Sequence, residues 1–171
     1  MNMSAKVHEP LKEARDQLNL VLGFFPRVDA KASVLLAINT GMLAVLSSKV
    51  PPWRTMQLWP VIAGSTCLLL IGGSCWFLYK VAFPSLSGGH QSLVYFREIA
   101  TRTESKFIEE FMAEEETARL RDLLGQVWRN SEILKMKFDA LRCAFVLMAV
   151  AIAPWVMAVS FFSAHSAGSH P

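Results

Sequence analysis

Cysteine is scarce in this chain and badly placed for cross-linking. Cys67, Cys75 and Cys143 lie in or at the edge of apolar segments. They are too few for a secreted disulfide framework and read as small packing residues. The histidines, His8, His90, His165 and His170, are scattered without metal-ligand spacing. There is no Walker loop, no GxSxG, no HExxH and no paired-cysteine zinc pattern, and Ser87-Gly88-Gly89-His90 is too short for a phosphate loop. These absences argue against an enzyme and against a resident metal or cofactor. The N-terminal MNMSAKVHEPLKEARDQ has no early apolar core, so it is not a cleavable signal peptide. A net charge of +3 over 171 residues does not argue for a nucleic-acid partner.

Charge itself is missing from long stretches. Cys143 to Ala164 is an uncharged run of 22 residues, Leu58 to Tyr79 is a second of equal length, and Ala32 to Ser48 is a shorter third. At a rise of about 1.5 Å per residue the longer runs cover the roughly 30 Å hydrocarbon core of a bilayer. The chain is 53% hydrophobic yet 18% charged, figures compatible only when the two kinds of residue are segregated. The expected fold is an all-α membrane protein with about three transmembrane helices. N-terminal and central cytoplasmic helices flank them, and the third span continues a long cytoplasmic helix. The expected divisions are a cytoplasmic amphipathic helix at 1–31, a transmembrane hairpin at 32–80, a cytoplasmic helical region at 81–142, a third span at 143–164 and a disordered tail at 165–171.

Within that frame, Val7, Leu11, Ala14, Leu18, Val21 and Phe25 recur at four- and three-residue steps, a narrow seam suited to another helix. Pro26 is expected to break or kink this helix. Asn39 and Thr40 fall near the middle of the first span. An amide there is costly against lipid, so it should face another helix or a water-filled space. The two readings of this pair are a pore or gating role and a helix-to-helix hydrogen bond. Gly64, Ser65, Gly72, Gly73 and Ser74 supply the second span with small residues for close helix approach, and Trp53 and Trp59 suit the membrane interface. Gln91 to Thr101 reads as a short helix or an extended piece. A second seam, Leu120, Leu124, Val127, Ser131, Leu134, Phe138, Leu141 and Phe145, enters the third span with no Pro or Gly break. It predicts one long helix over about 115–162, which Pro154 would bend.

Basic residues set the orientation. Of the seventeen Lys and Arg, five precede the first span, ten lie between the second and third, two lie in the short turn and the tail has none. The positive-inside rule then places the N-terminus and the 80–142 region in the cytoplasm.

Three pieces carry a likeness to a known family: VDAKASVLLAINTGMLAVL at the first span, SLVYFREIA after the second, and QVWRNSEILKMKFDALRCAF leading into the third. Together they resemble the Pycsar transmembrane effectors of bacterial anti-phage defence, over about Leu18 to Phe162. The resemblance implies a multi-pass protein of the bacterial inner membrane, dormant until a partner cyclase makes cyclic UMP or cyclic CMP on infection. The activated effector, expected to be a homo-oligomer in the lipid bilayer, impairs the membrane and the infected cell stops growing or dies. The alternative is a constitutive structural or accessory subunit of a helical membrane complex.

A receptor for a cyclic nucleotide needs a cationic cradle for the phosphate and stacking for the base. Arg27, Lys31, Arg97 and Arg102 supply cations, Tyr95 and Phe96 supply rings, and Glu98 and Asp29 supply acceptors for a ribose hydroxyl or an exocyclic amine. Positive-inside anchoring accounts equally for Arg27 and Lys31, and interface placement for Tyr95 and Phe96. Asp29, an acid at the membrane border, calls for a basic partner such as Lys31, Lys135, Lys137 or Arg142.

Overall fold

In the structure, a computed structural model, residues 3–50, 57–83, 89 and 91–167 are described. Trp53, Ser87, Gly88 and the last residues of the tail, 168–171, lie outside them. All regular elements among the described residues are helices: α1 (Met3–Leu22), α2 (Phe25–Lys49), α3 (Leu58–Ala82), α4 (Phe96–Ile99), α5 (Glu104–Ala113) and α6 (Glu116–Ala167). Three helical stretches are long and apolar enough to cross a membrane, within Glu9–Lys49, Leu58–Ala82 and Glu116–Ala164. The third belongs to α6, which runs for 52 residues through Arg142 and Pro154 without a break. The all-α, three-span architecture is therefore found, with the last span growing out of a long helix.

The break before the first span is not at Pro26. The chain turns at Gly23 and Phe24, whose amides donate to Asn19 O at 2.9 Å and Val21 O at 3.1 Å. Pro26 is the second residue of α2, where a helix has no intrahelical bond for its amide to make and a fixed φ is favourable. The helix carrying the first span thus begins well ahead of the apolar run, which makes good that run's short length.

The chain divides into two compact units, Met1–Arg27 with Pro84–Met136, and Val28–Phe83 with Lys137–Pro171. In the first, Ala14, Leu18 and Leu123 form a buried cluster, with Leu11, Val94, Leu120 and Val127 packed against it. The α1 seam read from sequence is the face that does this. Residues 91–101 combine both forms open at the outset, an extended turn followed by the single turn of α4. Thr103 caps α5 by accepting from the Lys106 amide. At the other end of α5, Arg119 donates to Phe111 O at 2.8 Å, pairs with Glu114 at 3.4 Å and lies over the Phe111 ring. A cation there satisfies a free terminal carbonyl and complements the helix dipole.

The second unit packs in the manner of helices in lipid. Its buried positions are Val28, Leu35, Asn39, Met42 and Leu46 on α2, and Pro60, Ala63, Gly64, Cys67, Ile71, Ser74, Leu78 and Val81 on α3. On α6 they are Lys137, Leu141, Ala144, Met148, Ala151, Ala158 and Phe162. Most steps in the three series are of three or four, with two of seven and the adjacent pair Ala63 and Gly64, the spacing of a seam between helices. Large apolar residues are found on both sides: Leu35, Met42, Leu46, Ile71 and Met148 are buried, while Val34, Ile38, Leu69, Trp76, Val150 and Met157 are exposed. In hydrocarbon the outward place costs them nothing, and small residues inside let backbones approach. The seam expected along α6 is found in part: Leu120 and Val127 pack against the buried cluster and Leu141 is buried, but other members are not. Leu124, Phe138 and Phe145 are 50%, 40% and 54% exposed, and Ser131 is exposed too. Phe138 and Phe145 lie in the spanning unit, where an outward apolar ring costs nothing in lipid, whereas near Leu124 in the first unit the inner face is taken by Leu123 and Gln126. The small residues of α3 divide likewise. Gly64, Gly73 and Ser74 face neighbours, whereas a Cβ on Gly72 would meet nothing within 4 Å and Ser65 is exposed.

This packing makes a paired prediction. Ala151→Leu overfills a fully buried position and should destabilise the bundle by about 1–3 kcal/mol. Gly72→Ala should be neutral or stabilise by up to about 1 kcal/mol. Unfolding of the purified protein in mixed micelles measures both.

Candidate functional site

The first spanning helix is anchored at its charged end by an ion pair. Lys137 occupies the inner face of α6 that continues through Leu141 and Ala144, so its stem is buried, with the side chain 7% exposed. Its Nζ reaches Asp29 Oδ1 at 2.7 Å, while Asp29 itself is half open to solvent. Of the basic partners foreseen for Asp29, Lys137 is the one that meets it. The other foreseen cations, Lys31, Lys135 and Arg142, are exposed.

Deeper in the same bundle a polar chain joins all three spanning helices. Asn39 Nδ2 donates to Ser74 Oγ at 2.8 Å, and Ser74 Oγ donates to Ala144 O at 2.9 Å. Both side chains are fully buried. Asn39 therefore faces other helices as the cost of an amide in lipid demands, and its Oδ1 is buried without a hydrogen-bond partner. Thr40 does not share this site. It is exposed, and its hydroxyl bonds back to Leu36 O at 2.8 Å within α2. A further tie, Trp155 Nε1 to Met42 O at 2.9 Å, joins α6 to α2. Ser74 was read from the sequence only as a small residue for close helix approach, and Trp155 was not singled out. Their signal was a serine and an indole at positions that the heptad steps turn inward.

In the first unit, polar chemistry gathers around the loop before α4. Asp122 Oδ2 accepts from Ser92 Oγ at 2.8 Å, from the Leu93 amide at 2.9 Å and from the Val94 amide at 3.2 Å. Ser92 Oγ in turn accepts from the Val94 and Tyr95 amides and from Gln126 Nε2. Asp122 and Gln126 are four apart on α6 and so share a face. Gln91 has a left-handed φ of 65°, strained for a residue with a Cβ. Its amide donates to Glu98 Oε2 at 3.0 Å and its carbonyl accepts from Arg102 at 3.1 Å.

The structure divides the residues foreseen for a nucleotide between the units. Asp29 and Lys31 fall in the second, while Arg27, Tyr95, Phe96, Arg97, Glu98 and Arg102 fall in the first. Arg102 and Glu98 are engaged by the chain itself. The Arg102 guanidinium pairs with Glu110 at 2.6 Å and donates to Glu98 O, Ser92 O and Gln91 O. Arg27 lies over the Phe24 ring, 5.3 Å from its centroid. Tyr95 and Phe96 stand edge to face at 5.1 Å, with Phe96 66% exposed, and Arg97 is exposed. One cation escaped the sequence reading. Arg129 Nη1 is buried without a hydrogen-bond partner, and a Cβ on Gly89 would collide with the same guanidinium. Among the described residues no cluster of His, Cys, Asp or Glu is arranged to hold a metal.

Three outcomes follow from these contacts. Asp29→Asn removes the carboxylate facing a largely buried ammonium and should cost about 1–3 kcal/mol, below the full cost of a wholly buried pair because Asp29 is half exposed. Replacing the pair together, with Asp29→Asn and Lys137→Met, should cost less than the single change in the same micelle unfolding assay. Asp122→Ala strips the acceptor from two loop amides and should speed hydrogen exchange at Leu93 and Val94 about tenfold or more.

The family model described as a Pycsar effector protein domain matches residues 13–164, from α1 to the end of the last span. Comparison with curated proteins and with solved structures finds no match. The family match runs over nearly all of a chain with three helices able to cross a bilayer: the protein belongs to the Pycsar effector family and is a multi-pass membrane effector of anti-phage defence.

Proposed function

We propose that this effector is held dormant in the bacterial inner membrane, N-terminus in the cytoplasm, until cyclic UMP or cyclic CMP binds its charged helical unit. Binding then rearranges or assembles the protein, the membrane is impaired and the infected cell is lost with its phage. The observation that carries this reading is the family match across both the charged helices and the spans. The distribution of basic residues supports the orientation, since fifteen of seventeen precede the first span or lie between the second and third.

The mechanism is a population shift. A ligand moves an equilibrium only by its differential affinity for the two states, so the nucleotide must prefer one packing of the charged helices. Among the cations of that unit, Arg102 is engaged by Glu110 and three carbonyls. Arg27, Arg97 and Arg129 have no carboxylate within ion-pair distance among the described residues, which leaves them for the phosphodiester. Phe96 and Tyr95 offer rings for the base. The continuous α6 gives the change a covalent route into the bilayer, and the Asn39–Ser74–Ala144 chain is the polar contact that a changed helix packing would have to remake.

The test pairs this protein with an active or inactivated pyrimidine cyclase in cells and follows membrane potential alongside intracellular cyclic nucleotide. Loss of potential with the active cyclase alone is the expected result. A potential that persists at high effector levels, with cyclic UMP or cyclic CMP measured in the same cells, overturns the reading.

A further inference from the structure

Two grooves run along the surface of the spanning bundle, and they end in opposite charge. One, of about 490 Å³, lies along α2 and α3 and has Asp29, Ser33 and Tyr79 in its lining. The other, of about 600 Å³, lies along α2 and α6. Its walls are Val34, Leu35, Phe138, Leu141 and Phe145, and its polar residues are Lys31 and Arg142. The spacing explains the arrangement. Lys31 is three and four residues from Val34 and Leu35, and Arg142 is three and four from Phe145 and Phe138, so on each helix the cation shares a face with the groove wall. Arg142 immediately precedes the uncharged run of the third span, and Lys31 that of the first. Both cations therefore stand at the edge of the apolar zone.

The ion pair nearby decides which charges remain. Asp29 is matched to Lys137 at 2.7 Å, and no carboxylate lines the second groove. Lys31 and Arg142 leave it with a net positive end above an apolar trough. We infer that this groove binds an anionic phospholipid, the phosphate held between Lys31 and Arg142 and an acyl chain laid along Val34, Phe138 and Phe145. Basic pockets between membrane helices recognise such head groups by charge, and the trough adds apolar contact that a free anion would not use. A second copy of the chain is a poorer match. Beside the starts of its first and third runs its carboxylates are Asp29, which Lys137 holds, and Asp139, which shares a helix face with its own Arg142 three residues on. The site goes beyond nucleotide activation, since it makes the lipid composition of the surrounding leaflet a determinant of how α2 and α6 are held together.

The experiment uses the full-length protein purified in detergent, offered equal phosphatidylglycerol and phosphatidylcholine, with retained lipid counted by native mass spectrometry. The wild type should retain phosphatidylglycerol preferentially, and Lys31→Gln with Arg142→Gln should cut that retention by about fivefold for each cation removed. Lys12→Gln with Arg15→Gln, which removes the same charge from α1, should leave it unchanged. Val34→Trp keeps both cations but fills the trough, and it too should lower retention. Equal retention of the two lipids by the wild type, full retention by the Lys31/Arg142 variant or by Val34→Trp, or displacement of the lipid by inorganic phosphate each overturns the site. So does a stable dimer that excludes lipid and dissociates when Lys31 and Arg142 are replaced.

Discussion

A leucine gains almost nothing by moving from lipid to protein, because both are apolar, whereas an unpaired amide or hydroxyl loses a great deal by moving the other way. The spanning unit is built on that asymmetry. Its interior admits Ala144, Ala151, Ala158, Gly64 and Cys67 and the polar pair Asn39 and Ser74 beside larger residues such as Ile71, Leu46 and Met148, while Leu69, Trp76, Val150 and Met157 face outward. Close packing of small residues and a few directional bonds hold the three helices together. The charged unit, by contrast, buries Ala14, Leu18 and Leu123 as a water-soluble bundle would. One continuous helix, α6, obeys both rules in turn.

That change of rule explains what was legible in the sequence. Uncharged runs of spanning length need no knowledge of packing, and they gave the three spans; the long last helix came from a helical periodicity that enters the third run unbroken. The α1 seam was legible because Ala14, Leu18 and Val21 follow the ordinary aqueous pattern. The α6 seam was legible only at Leu120, Val127 and Leu141, since Phe138 and Phe145 look like core residues and Lys137 does not. The turn at Gly23 and Phe24 was masked by Pro26, the more conspicuous residue, although a proline in the first helical turn is a start signal as much as a stop. Asn39 was recognisable as a residue that must face inward, because the cost of an amide in lipid depends only on its type and depth. Its partner Ser74 was hidden among small residues with no polar neighbour in sequence to mark it.

The polar organisation of the charged unit was the least visible part. The sequence singled out Arg102 and Glu98 for their charge, and the structure shows both holding the bend in which Gln91 is left-handed. Asp122 and Gln126 order the same bend from thirty residues away, through Ser92. A network of that kind depends on which helix passes the loop, and no local pattern encodes it. The same limit hid Arg129, whose distinction is what surrounds it.

The buried Asn39 amide also restricts how the first spanning helix can move. A rotation of α2 by one residue, about 100°, would carry the amide from Ser74 into acyl chains and expose a strongly hydrated dipole to hydrocarbon. Sliding or tilting by smaller amounts keeps it among polar neighbours. Ser74 and Asn39 thus act as a key against twisting. Displacements open to this helix are translation along its axis or separation from its neighbours, and spinning about that axis is closed off.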